Sequence, residues 1–234
     1  MPDASLQGVD VGGWSATRRC SWHCVAVLGL VLIGGCSTTG NIALDTARLL
    51  VTGGPDLTPD AGEVANSPYA RIQIQGGGLR SVMVLGNDDD GRQSWYGDRR
   101  HIVFLRDGLV VGTLGLSSDV DTIYVEGDNP FRQLAQVGEQ PVTVRRRYDW
   151  RDGYRYGVPV IGQLSRRDTE EVEILGARLR LVRYEEDLRG PGVRARNEYW
   201  VEPDTGQIRK SRQYVAQGTM LEIVVLKSYR QARR

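Results

Sequence analysis

Residues 69–85 read YARIQIQGGGLRSVMVL, and this stretch decides the fold. Apolar and polar side chains alternate from Tyr69 to Gln75, three glycines follow, and strand-forming residues return from Arg80 to Leu85. Period-two alternation on both sides of a glycine turn is typical of a β-hairpin with one buried face. We therefore predict antiparallel strands from residue 69 onward.

The same pattern recurs to the end of the chain. Further strands are predicted at 93–96, 101–105, 109–113, 123–125, 142–150, 154–164, 171–184 around Gly176, 193–201, 207–214 and 220–229. About a dozen strands with short loops and a few short helices indicate an all-β domain. Because charged residues alternate with apolar ones, as from Arg178 to Arg183, one sheet face meets solvent. We expect an antiparallel, strongly curved sheet or incomplete β-barrel built from meander-like hairpins.

The N-terminal part differs in character. Arg18 and Arg19 precede an apolar run at residues 25–35, which ends at Cys36. This order is typical of a secretory signal peptide, and the run is shorter than the roughly 20 residues that a transmembrane helix needs. We predict a lipoprotein signal peptide at 1–35, a lipidated N-terminal segment with short helices and a linker at 36–67, and an antiparallel β domain at 68–234. The short helices are expected at 41–51 and 59–65, the second with its cap at Thr58.

The residues around the predicted cleavage site resemble the bacterial lipobox. In that motif, here Ile33-Gly34-Gly35-Cys36, the cysteine is acylated and becomes the new N-terminus. Two or three acyl chains such as palmitate each add about 0.8 kcal/mol per buried methylene, which gives stable anchoring. Ser37 stands where an aspartate would signal inner-membrane retention. The resemblance implies a lipid anchor on the periplasmic face of the outer membrane.

Composition excludes several classes of function. The formal net charge is +1, so general attraction to nucleic acid is not expected. Cleavage before Cys36 would remove Cys20, Cys24 and His23, which leaves no disulfide, no cysteine-based metal site and one histidine, His101. We predict no cofactor and no metal site. The acidic run at 87–91 could supply oxygen ligands to calcium, but a solvated hairpin turn is the preferred interpretation. The shorter acidic run at 185–187 is interpreted in the same way.

Aromatic and arginine residues offer candidate contacts for glycan or for a partner protein. Sugar rings stack on aromatic side chains, and arginine pairs with the carboxylates of acidic sugars. The candidates are Trp95, Trp150, Tyr154, Tyr199, Trp200 and Arg209. Core packing is the competing explanation for most of these rings.

Three stretches together resemble a known family. They are residues 68–70, residues 149–157 and residues 199–213, the last of which contains WVEPDTG at 200–206. With the lipobox and residues 226–229, the chain resembles the YjbF/GfcB family of outer-membrane lipoproteins, associated with exopolysaccharide and group 4 capsule production. The resemblance implies an extended antiparallel β structure and other envelope proteins of a polysaccharide secretion pathway as partners. The aromatic and arginine candidates add acidic polysaccharide as a candidate partner. The family has no established catalytic residues to carry over.

Three functions follow as hypotheses. The preferred one is a non-enzymatic accessory in polysaccharide assembly or export, whose sheet binds partner proteins or nascent glycan. A carrier of a lipid or other apolar ligand would need an apolar cavity of several hundred cubic ångströms. A polysaccharide-modifying hydrolase would need two carboxylates about 5 to 10 Å apart in a cleft, with Glu198, Glu202 and Asp204 as candidates.

Overall fold

The computed structural model describes residues 59–229, so the predictions for Cys36 and for a helix at 41–51 lie outside the described residues. In the described part, one α-helix and three 3₁₀ segments accompany twelve strands. The helical elements are α1 (Ala61–Asn66) and the 3₁₀ segments Asp98–Arg100, Pro130–Gln136 and Asp152–Tyr154. The strands are β1 (Arg71–Gly76), β2 (Leu79–Asp89), β3 (Arg92–Tyr96), β4 (Ile102–Arg106), β5 (Leu109–Leu114), β6 (Thr122–Glu126), β7 (Val142–Trp150), β8 (Arg155–Ile174), β9 (Ala177–Gly190), β10 (Val193–Val201), β11 (Ile208–Ala216) and β12 (Thr219–Lys227).

All twelve strands belong to one antiparallel sheet. Its order is β5-β4-β3-β2-β1-β12-β11-β10-β9-β8-β7-β6, so neighbours in the sheet are neighbours in the chain except where β1 pairs with β12. The end strands β5 and β6 approach each other, and Thr113 N–H donates to Val120 O across the gap at 2.9 Å. The sheet is therefore a nearly closed barrel, and the all-β prediction is confirmed.

Two hydrophobic clusters fill the interior. The first includes residues of all twelve strands and contains stacked Tyr148 and Trp150, whose ring centroids are 5.0 Å apart. The second is formed by β7–β11, Leu109 and the 3₁₀ segment Pro130–Gln136, which we call the plug segment. Phe131 and Leu134 of the plug segment are buried in this second cluster. Inward side chains therefore close-pack much of the barrel.

A third cluster joins α1 to the sheet. Val64 of α1 packs with Ile174 at the tip of the β8–β9 hairpin and with Leu226 of β12. The helix begins later than predicted, since Asp60 is its N-cap and accepts from Glu63 N–H at 2.8 Å. An aspartate in the cap position satisfies an N–H group that would otherwise have no partner in the first turn.

The β8–β9 hairpin is longer than the sequence predicts. Residues 154–164 and 171–184 were separate segments in the prediction, whereas β8 runs unbroken for 20 residues with an irregularity between Arg166 and Thr169. Strand β9 continues past Tyr184, and Glu185 and Glu186 pair with Ser165 and Leu164. The interpretation of 185–187 as an acidic turn is therefore wrong, because ladder pairing with β8 holds these residues in a strand.

The tight turns follow local chemistry. Gly206, in the β10–β11 turn, has φ of 71°, a conformation that favours glycine, and its N–H donates to Glu202 O at 2.9 Å. At the β2–β3 turn, Asp88 accepts from Gly91 N–H at 2.9 Å, as expected for a solvated acidic hairpin turn. None of the helices in residues 59–229 has the length and apolar character needed to cross a membrane.

Candidate functional site

A buried polar cluster lies inside the barrel, formed by Arg146 on β7, Glu186 on β9, and Asn197 and Tyr199 on β10. The Arg146 and Glu186 side chains are 2% and 0% exposed, and Arg146 donates from Nε and Nη2 to the two carboxylate oxygens at 2.8 Å each. Tyr199 OH donates to Glu186 at 2.9 Å, and Asn197 Nδ2 donates to Glu186 at 3.0 Å. A bidentate pair with additional donors is the geometry in which a buried ion pair is best satisfied.

Hydrogen bonds within the cluster link the four strands β7, β9, β10 and β11. Asn197 Oδ1 accepts from Tyr214 N–H at 2.7 Å, which adds β11 to the group. Burial alone would lower the pKa of Arg146, but neighbouring Glu186 raises it above the ordinary value. Burial, with a further contribution from Glu186, raises the pKa of Tyr199 well above its ordinary value. Arg146 therefore stays cationic and Tyr199 stays protonated at physiological pH.

One cavity opens between the end strands of the sheet, and we call it the seam cavity. Its volume is about 180 Å³, and its walls are residues 109–111 of β5 and residues 123–125 of β6. Its lining also includes the polar residues Arg106, Asp107, Asn129, Arg132 and the buried Arg146. The strands separate here, while hydrogen bonds involving residues 113–120 join them at the other end of the seam.

A second cavity lies at the same end of the barrel, and we call it the mouth cavity. It has a volume of about 390 Å³ and is bounded by the β2–β3, β4–β5 and β10–β11 turns, the plug segment and Tyr229. Its lining is mixed, with apolar Ile72 and Leu105 beside polar Asp88 and Gln93. Asp107 and Arg132 line both cavities, so the two spaces are neighbours.

The outer face of β8–β12 carries a charged group that we call the outer-face network. Arg183 contacts three carboxylates: Glu170 at 2.8 Å, Glu185, and Glu198 at 3.4 Å. Trp200 Nε1 donates to Glu170 at 2.8 Å. Arginine and glutamate side chains therefore balance each other across neighbouring strands.

Two carboxylates of the outer-face network, Glu170 and Glu185, have lowered pKa values. Hydrogen bonds from Trp200 and from Arg183 lower the pKa of Glu170 below its ordinary value. Burial raises the pKa of Glu185, but hydrogen bonds from Arg167 and Arg183 outweigh this and the pKa is lowered overall. Carboxylates with lowered pKa values are poor general acids near neutral pH.

Three of the predicted contact residues lie in the interior. Trp150 stacks on Tyr148 and donates from Nε1 to Val215 O at 2.7 Å, and Tyr199 belongs to the buried polar cluster. Trp95 is buried at the wall of the mouth cavity, and its Nε1 has no hydrogen-bond partner among residues 59–229. The first two rings are therefore committed to core contacts.

The other predicted contact residues reach the surface at separate places. Tyr154 is 86% exposed in the β7–β8 turn, while Trp200 is half-buried in the outer-face network with Lys210 Nζ 5.2 Å from its ring centroid. Arg209 pairs with Glu202 within the β10–β11 hairpin. The structure thus does not bring the six predicted residues into one site, and Cys36 lies outside the described residues.

The residues around the seam cavity escaped the sequence prediction. Arg106 and Asp107 lie between the strands predicted at 101–105 and 109–113, and Arg146 is one arginine in the run Arg145-Arg146-Arg147. The available signal was the alternation in β7, which places Arg146 on the same face as Val144 and Tyr148. Among residues 59–229, no three His, Cys, Asp or Glu side chains are grouped so that they could hold a metal ion.

Comparison with known proteins identifies relatives of this barrel. A family model described as "Group 4 capsule polysaccharide lipoprotein gfcB, YjbF" matches residues 44–226. The uncharacterized lipoprotein GfcB of Escherichia coli (strain K12) is 21% identical over 201 residues, which cover 84% of this chain and 94% of that protein. The uncharacterized lipoprotein YjbF of the same strain is 27% identical over 195 residues, which cover 81% and 89%.

A solved structure shares the fold. The crystal structure of the hypothetical lipoprotein YmcC from Escherichia coli (K12) has a TM-score of 0.67 and 21% sequence identity. The similarity covers 80% of this chain and 96% of that one. The nearly closed antiparallel sheet is therefore an architecture also found in a lipoprotein of known structure.

Proposed function

The chain belongs to the YjbF family of group 4 capsule polysaccharide lipoproteins, and from this membership we propose that it is a lipid-anchored, non-enzymatic accessory in capsule or exopolysaccharide assembly or export. Its place is the periplasmic face of the outer membrane. Its partners are outer-membrane lipid, reached through acylated Cys36, and other envelope proteins of the same secretion pathway. The family resemblance predicted from the sequence is confirmed.

The lipobox supports the anchor. Ile33-Gly34-Gly35-Cys36 closes the apolar run, and the matched family begins soon after it at residue 44. Cleavage before Cys36 would place the acyl chains ahead of α1 and the β-barrel. Two or more chains hold a protein on a bilayer far more firmly than one chain does.

The packed interior of the barrel is the observation that carries the accessory role. A carrier needs an enclosed apolar cavity, whereas here two hydrophobic clusters and the plug segment occupy much of the interior. In the mouth cavity, Asp88, Gln93 and Gln207 provide a polar lining beside the apolar one. Open, mixed surfaces of this kind suit binding to a polar chain or to a partner protein.

The lowered pKa values of Glu170 and Glu185 make these two residues unsuitable as general acids. Glycoside hydrolysis requires one carboxylic acid whose pKa is raised. In the outer-face network, hydrogen bonds lower the pKa of Glu170. Burial raises the pKa of Glu185, but hydrogen bonds lower it by more, so its pKa is also lowered. Glu186 accepts from Nε and Nη2 of Arg146 and is fully buried.

The lipid anchor can be tested by Cys36→Ala in the producing bacterium. We expect loss of labelled palmitate incorporation, release of the protein from outer-membrane fractions, and reduced polysaccharide output. Cys24→Ala is the matched control, because this cysteine lies in the predicted signal peptide, and it should behave as the wild type. If the Cys36→Ala protein remains in the outer membrane and supports normal output, the proposed role of the anchor is wrong.

A further inference from the structure

The seam cavity combines a buried cation with open space. Arg146 makes its hydrogen bonds from Nε and Nη2, and within residues 59–229 its Nη1 has no hydrogen-bond partner. Arg146 lines the seam cavity although its side chain is only 2% exposed. A fixed guanidinium edge at the inner end of a cavity is a ready donor for a planar anion.

The bidentate pair fixes the orientation of that donor. Glu186 binds the Nε–Nη2 edge of the guanidinium and Tyr199 contacts Nη2, while Phe131 lies beneath it with 5.1 Å between Arg146 Cζ and the ring centroid. Little side-chain freedom remains to be lost when a ligand binds, which favours affinity. Because Glu186 offsets the charge of Arg146, a second cation is needed to attract an anion.

Arg106 supplies that second charge. It lines the seam cavity at the end of β4, and it has no ion-pair partner among residues 59–229. Asp107 also lines the cavity, but it accepts from Asn129 Nδ2 at 2.9 Å and from Arg132 Nε at 3.4 Å. With Arg132 offsetting Asp107 and Glu186 offsetting Arg146, the cavity keeps the positive charge of Arg106.

We propose that the seam cavity binds the carboxylate of an acidic sugar residue in a polysaccharide. Arg146 Nη1 and the Arg106 guanidinium donate to the carboxylate, and the apolar walls of β5 and β6 contact the ring. The volume of about 180 Å³ corresponds to roughly six water molecules, enough for a carboxylate and part of a sugar ring. The neighbouring mouth cavity gives the next sugars of the chain a place to lie. Identification of the ligand as polysaccharide rests on the proposed function.

The test is calorimetric titration of the full-length protein in detergent with trigalacturonate and with its methyl ester. The two probes differ in charge but share the same sugar rings. We expect the wild type to bind the acid at least tenfold more tightly than the ester. Arg106→Glu should weaken binding of the acid at least tenfold, and Val111→Trp should do so by filling the cavity.

Arg145→Glu is the matched control, because it makes the same charge change on the exposed outer face of β7. It should bind the acid as the wild type does, and melting curves should show that all variants are folded. Equal binding of acid and ester, or wild-type binding by both Arg106→Glu and Val111→Trp, would overturn the proposal. Binding in detergent is independent of localisation, so a failure of the Cys36→Ala experiment would leave this result standing.

Discussion

The buried polar cluster and the outer-face network use the same chemistry on opposite faces of the same strands. Inside the barrel, Arg146 and Glu186 are almost completely shielded from water and form a bidentate pair. Outside, the Arg183 side chain is 27% exposed and is shared among three carboxylates. A buried ion pair adds little net stability over an apolar pair, but removal of one partner leaves the other charge buried without compensation, which is strongly destabilising. An exposed pair loses little when it is broken.

The largest effect is expected from Arg146→Met. This change leaves the Glu186 carboxylate buried without its cation, which should lower the free energy of unfolding by about 3 to 5 kcal/mol. Urea denaturation followed by tryptophan fluorescence measures the change. The matched control is the double variant Arg146→Met with Glu186→Leu, which removes both charges.

The double variant should recover most of the loss. Asn197 Nδ2 already donates to Tyr199 OH at 3.0 Å, so these two groups remain partners when the charges are gone. A double variant as unstable as Arg146→Met would show that the cost arises from packing rather than from an unpaired charge.

An intermediate effect is expected from Gly162→Ala on β8. A Cβ at this position would lie 2.8 Å from Cδ and 2.9 Å from Cγ of Glu186, so the carboxylate would have to move from its position against Arg146. We expect a loss of about 1 to 3 kcal/mol in the free energy of unfolding, as is typical of overpacking. Gly138→Ala is the control, because no atom lies within 4 Å of the added Cβ. Equal stability of the two variants would mean that the buried polar cluster tolerates displacement.

Much of the fold could be predicted because its signals are local. The glycine turn at 76–78 and the Arg106-Asp107-Gly108 turn define hairpins whose alternation spans only a few residues. The closing pair β1–β12 could not be predicted in this way, since Arg71 and Lys227 come together only through the curvature of the whole sheet. The length of β8 was missed for a similar reason, because its charged outer residues resemble a loop.

The candidate site was less predictable than the fold. Arg146 and Glu186 stand in runs of like charge at 145–147 and 185–187, where the sequence does not mark which member faces inward. Their pairing joins residues 40 positions apart and depends on strand register. Two aromatic residues were predicted as contacts but are buried. Trp150 and Tyr199 have side chains on which sugar rings can stack, yet both lie in the core.

The smallest effect is expected from Arg183→Gln in the outer-face network. At pH 7 the loss should be at most about 1 kcal/mol, since the pair is partly solvated. Hydrogen bonds hold the pKa of Glu170 below its ordinary value of 4.5, so the stability that this carboxylate contributes is present above that pH and is lost as the pH falls through the lower, folded-state value. The difference between wild type and Arg183→Gln should therefore shrink as the pH falls below about 4. Arg212→Gln, whose contact with Glu198 is 3.9 Å, should match the wild type at every pH. Urea denaturation at pH 3 measures this. If the difference in the free energy of unfolding between wild type and Arg183→Gln is unchanged there, Arg183 acts through packing of its side chain.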